Sequence, residues 1–105
     1  MPRARLAIAS TACLLLALPI ARAAPGDEFA AACGLSGKTS PQSCQCQAKL
    51  ARTTLNAAEL HTAIVGMRDG QAALHSALAA MGEAKAQAFI GKMKSLAGRV
   101  ATACP

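Results

Sequence analysis

The chain has 105 residues, a formal charge of +6, five cysteines, two phenylalanines and no tyrosine or tryptophan. That length holds one small domain, and so few aromatics remove the stacking platforms on which single-stranded nucleic-acid binding relies. Part of the charge and of the 53% apolar content belongs to the N-terminal segment, so neither describes the folded part.

Residues 1–23 have the three-part form of a cleavable secretory signal. Arg3 and Arg5 make a basic start, and Leu6 to Ile20 carries no charge. Ala21-Arg22-Ala23 then gives the small-x-small pattern for cleavage before Ala24. The uncharged run is shorter than the ~20 apolar residues that a spanning helix needs. Cys13 lies inside it, but Ser10-Thr11-Ala12 lacks the leucine usual in a lipoprotein signal. Losing Arg3, Arg5 and Arg22 takes three from the formal +6 and leaves +3. The sequence therefore predicts a periplasmic or extracellular protein. Its remaining cysteines, Cys33, Cys44, Cys46 and Cys104, are an even set in an oxidising compartment and are expected to pair. A domain this small has a limited core, and such staples are its usual supplement.

Residues 24–39 read as an N-terminal arm with a short helix or loop, contributing few large apolar residues to the core. Pro25-Gly26-Asp27 can open a helix that continues to Cys33, Gly34 would end it, and Gly37-Lys38-Thr39 reads as a loop. Residues 40–105 are the expected helical bundle. Ser40 is a helix cap followed by Pro41 at the first helical position, where a missing N–H costs nothing. That helix should reach about Arg52.

Asn56 and Glu59 are spaced as a capping box, with Leu55 and Leu60 placed as its hydrophobic staple. From Leu60 an apolar stripe advances by threes and fours through Ile64, Met67, Gln71, Leu74 and Leu78 to Met81. A break is expected at Asp69-Gly70, with Asp69 capping the second segment. LHTAIVGMRD (60–69) and LHSALAAMGE (74–83) match at a two-heptad offset, too short a repeat to define an architecture. Gly82 ends this stretch. The last helix, about Glu83 to Ala103, should turn Ala86, Phe89, Met93, Leu96, Val100 and Ala103 inward. At ~1.5 Å per residue it makes a rod about 31 Å long, enough for the spine of the domain. No segment alternates as a strand would. The prediction is an all-α fold, a small disulfide-stapled helical bundle of about four helices with a long C-terminal helix.

Cys44-Gln45-Cys46 invites a redox reading. On a helix, residues two apart point about 200° away from each other, so each thiol should find its own partner. The two sensible pairings close loops of nearly equal length, so loop entropy cannot choose between them. Helix direction can: Cys46 shares the face of Leu50, and Cys104 follows the core seam of the last helix. Pairing Cys46 with Cys104 and Cys33 with Cys44 is favoured.

His61, His75, Met67 and Met81 are soft donors of the kind that hold Cu(I). The methionines belong to the apolar stripe, where Met is ordinary filler, and neither histidine stands one turn from a methionine. No cofactor is expected, and without CxxCH covalent haem attachment is excluded. Lys85, Lys92 and Arg99 recur every seven residues with Lys94 nearby, a basic stripe opposite the expected core face. It suits contact with an anionic lipid surface, a polyanionic polymer or an acidic protein.

The acids at 27, 28, 59, 69 and 83 are scattered and no serine sits in a nucleophile motif, so no catalytic role is expected. The expected function is that of a non-catalytic protein-binding or envelope factor, its partner another envelope or secreted protein rather than nucleic acid. One alternative is a thiol-disulfide redox protein using the Cys44 and Cys46 pair, although it lacks CxxC and any βαβ pattern. Another is a periplasmic immunity- or chaperone-like protein, since both classes share this exported, helical, four-cysteine architecture. No motif assigns the chain to either.

Overall fold

The computed structural model describes residues 25–105, so the signal segment 1–23 and its cleavage site lie outside the described residues. Helix α1 spans Pro25–Cys33 and runs into a 3-10 turn at Gly34–Ser36. Then follow α2 (Pro41–Thr54), α3 (Ala57–Asp69), α4 (Gln71–Met81) and α5 (Glu83–Ala103). The described residues are all helical, with no strand among them. Among the described residues there are five α-helices where about four were expected, because the arm carries a full helix; the break expected at Asp69-Gly70 is present.

Local chemistry accounts for most boundaries. Asp27 and Glu28 sit in the first turn of α1, where their charge suits the positive end of the helix dipole. Gly34 does not end that segment. It opens the 3-10 turn, and Gly37, left-handed at φ 70°, closes it by donating its N–H to the Gly34 carbonyl. At the start of α2 the Ser40 hydroxyl accepts the Ser43 N–H at 3.1 Å. At the start of α3 the capping box is complete. Asn56 Oδ1 accepts the Glu59 N–H and Glu59 Oε1 accepts the Asn56 N–H, both at 2.9 Å.

The stripe breaks at Gly70, which has φ +92°, as does Gly82 between α4 and α5. An L-side chain is strained in that region, so glycine is what lets the chain turn at both places. Asp69 does not cap α4. It is the last residue of α3 and pairs with Arg68 at 3.6 Å, which leaves Gly70 in the cap position with no side-chain bond.

Packing corrects the reading of the arm. α1 lies against α2 and α3, and Phe29 is only 3% exposed within the main core. Small residues on α2 make this possible. Ala48 and Ala51 are both buried, and with no bulk beyond Cβ they let the helices approach closely. α5 contributes Phe89 and Leu96 to the same core, with Met93 and Val100 half-buried and Ala103 exposed. α4 has no fully buried residue, and its Leu74, Leu78 and Met81 are covered on one side only. Met67, expected as core filler, is 37% exposed. Past Ile64 the apolar stripe outruns the layer that covers it, and that leaves a groove.

Candidate functional site

The groove is built where α4 folds back on α3 and α5. Leu74 is set over Gly66 of α3, where a Cβ would stand 3.2 Å from its Cδ1. Leu74 and Leu78 form one wall, Ile90 and Met93 of α5 form the other, and Ala63 and Phe89 lie between them. These side chains line an open cavity of about 350 Å³. Met93 and Ala97 also line an adjoining cavity of about 300 Å³, whose other walls include Phe29, Met67 and Val100. The two cavities share Met93 and Ala97, and together their linings follow α5 from Phe89 to Ala101, about 18 Å at ~1.5 Å per residue. Ala63 and Ala97 leave the room that larger residues would fill. Lys94 is the one charged residue in the lining of the larger cavity.

Sulfur–sulfur bonds join Cys33 to Cys44 and Cys46 to Cys104, each with its Cα atoms 5.6 Å apart. This is the pairing for which the Leu50 face argues. Cys44 is 2% exposed, and Cys46 turns away toward the end of α5. The two cysteines of the Cys-Gln-Cys run therefore sit in different bonds.

The basic residues of α5 do not share one face. Lys92 Nζ donates to Glu59 Oε1 at 2.7 Å, and Arg99 Nη1 donates to Thr54 Oγ1 at 2.7 Å. Both tie the spine to neighbouring helix ends, so the stripe read as opposite the core in fact docks on α2 and α3. Lys85 stays exposed beside Lys92. Lys94, about 200° round the helix from Lys92, belongs to the groove instead.

Glu59 is the buried member of its pair, with 7% of its side chain exposed against 41% for Lys92. Burial pushes its carboxyl up, but the Asn56 N–H and the Lys92 ammonium outweigh this and hold it below its ordinary 4.5. A lowered folded pKa stabilises the fold above the ordinary value, and that contribution is lost as pH falls through the folded one. Lys92→Met should therefore cost about 1–2 kcal/mol at pH 7, discounted for the water around Lys92. Denaturant melts at descending pH should show the difference from wild type shrinking once pH drops below 4.5. A constant difference would mean that Lys92 acts by packing alone.

His61 and His75 are exposed, and no group of three or more His, Cys, Asp or Glu that could hold a metal occurs among the described residues. No helix among them is long and apolar enough to cross a membrane. The fold and site define a small disulfide-stapled helical bundle with an open apolar groove. No family model, curated protein or solved structure matches the chain.

Proposed function

We propose that this chain is an exported, non-catalytic factor of the envelope or secreted space that works by binding, and that the groove along α5 is its binding surface. The observation that carries this reading is the row of half-buried Leu74, Leu78, Ile90 and Met93 left open beside exposed Met67. Apolar clefts with few polar groups are where ligands commonly bind. The two disulfides tie α1 to α2 and α2 to the end of α5, the helix that carries one wall of the groove. Of the classes sharing the architecture, a chaperone-like role suits an apolar groove. The redox alternative loses support because Cys44 and Cys46 are held in separate bonds.

A protein partner fits this reading, favoured by Met67 and Met93, whose flexible thioethers adapt to varied apolar surfaces. A photo-activatable residue at Ala97 should capture an envelope component, and the same residue at Lys38, outside the groove, should not. Equal capture from both positions would put binding elsewhere. Export rests on the Arg3-to-Ala23 pattern together with the paired cysteines. N-terminal sequencing of the exported protein should begin at Ala24, and Met1 on the folded product would remove the localisation.

A further inference from the structure

α5 outruns the helix beside it. It has 21 residues against 11 in α4, and the second cavity takes no lining residue from α4. Ala97 and Ala101 are exposed there, and Met67 of α3 lines the same cavity at 37% exposure. Along the two linings Ile90, Met93, Ala97 and Ala101 advance by threes and fours, from half-buried to exposed. A row with that period is a ridge of the kind against which a second helix packs. From Phe89 to Ala101 it offers room alongside for about 12 residues of helix.

Proteins hold peptide segments in a few recurring ways. A strand added to a sheet needs a free edge, and no strand occurs among the described residues. A polyproline segment needs an aromatic-lined groove, and Phe29 and Phe89 are each only 3% exposed. A helix needs apolar walls at helical spacing, which Leu74 and Leu78 supply on one side and the α5 row on the other.

Charge narrows the chemistry of that helix. α4 contains no Asp, Glu, Lys or Arg. Lys94, midway along the α5 lining, is exposed and has no ion-pair partner among the described residues. The other polar side chain in the two linings is Gln47, whose amide nitrogen donates to Ser43 Oγ at 3.2 Å. α5 as a whole carries Lys85, Lys92, Lys94 and Arg99 against Glu83 alone. A second copy docked here would set two such helices against each other, and their like charges oppose it.

We infer that the groove is the docking site for an amphipathic helix of another protein. That helix lays an apolar row along Ile90, Met93 and Ala97 and sets an Asp or Glu from its middle turn against Lys94. This rests on the groove being the binding surface and adds the class of its partner.

The test pans a displayed library of helix-forming peptides, about 14 residues long, against the processed, disulfide-bonded protein. Enriched peptides should share apolar residues at three- and four-residue steps and an acid near the middle. Panning against Lys94→Glu should turn that acid into Lys or Arg. The best peptide, labelled and followed by fluorescence anisotropy, should bind Lys94→Met about tenfold more weakly than wild type. Exchanging its acid for the amide should weaken binding to wild type but not to Lys94→Met. Ala97→Trp, a large ring from an exposed position, should keep the wild-type melt and lose the peptide. No helical spacing among the enriched peptides, an acid preference that ignores Lys94→Glu, or equal binding to Ala97→Trp would overturn the assignment. So would a dimer in equilibrium sedimentation that Ala97→Trp dissolves, since a second copy would then fill the groove. If panning fails but Ala97 still captures an envelope component, the helical partner falls and the groove reading stands. If both fail, the groove is not the binding surface.

Discussion

Replacing Cys46 and Cys104 together by serine should destabilise the domain by about 2–5 kcal/mol and remove its cooperative melt at growth temperature. The bond ties α2 to the far end of α5 across a separation of 58 residues. In the chain-entropy model a loop of that size restricts the unfolded ensemble by ~4 kcal/mol, against ~3 kcal/mol for the Cys33–Cys44 loop. Those values are too close to separate the two staples by entropy alone. Position separates them: Cys46–Cys104 holds the C-terminal end of the spine, where Ala103 is exposed and Val100 only half-buried. Without it, little beyond the Arg99–Thr54 hydrogen bond secures that end.

The counterpart Cys33→Ser/Cys44→Ser should also lose stability, because α1 carries Phe29 into the core. This revises the expectation that residues 24–39 add little to the core. Far-UV dichroism under denaturant measures both variants. A Cys46/Cys104 variant within about 1 kcal/mol of wild type would show that helix packing alone secures the spine.

Phe89→Ala should cost about 3–5 kcal/mol, a large fraction of the stability of so small a domain. Phe89 is 3% exposed, and the space it would vacate opens into the groove. The cost combines lost transfer energy with the cavity left behind, since Leu96, Leu60 and Ile64 are fixed by their own contacts. Phe89→Leu, which keeps most of the volume, should cost less than about 1.5 kcal/mol. The same melts compare the two. A Phe89→Ala loss below about 1 kcal/mol would mean that the groove collapses onto the vacancy, and that its shape is not rigidly held.

What could be read from the residues follows from the range of the forces involved. Ser40-Pro41 starts α2 and Asn56…Glu59 starts α3 through bonds that close within three residues, so no distant neighbour needs to be known. The turns at Gly70 and Gly82 follow from what one residue can do at φ +92°. The disulfide partners were legible because the 100° step of one helix separates Cys44 from Cys46, and only Cys46 shares the side of Leu50.

Phe29 lies in a stretch without periodicity, and its burial depends on Ala48 and Ala51 of another helix standing small enough to admit it. Lys92 was misplaced for a related reason. Seven-residue spacing put it on a polar face, yet Glu59, distant in sequence, comes within 2.7 Å once α3 docks on α5. An apolar stripe says which side of a helix avoids water but not whether another layer covers it. The groove arises because α4, with 11 residues, lies beside an α5 of 21.

The helices of residues 25–105, their caps, their breaks and the direction of their cysteines were thus decided by the sequence itself, through interactions confined to one or two helical turns. The burial of Phe29, the pairing of Lys92 with Glu59 and the open groove beside Lys94 were decided only by the tertiary structure. Each depends on the distance between two helices, and that distance is set by side-chain volumes summed across an interface rather than by any pattern along a single segment.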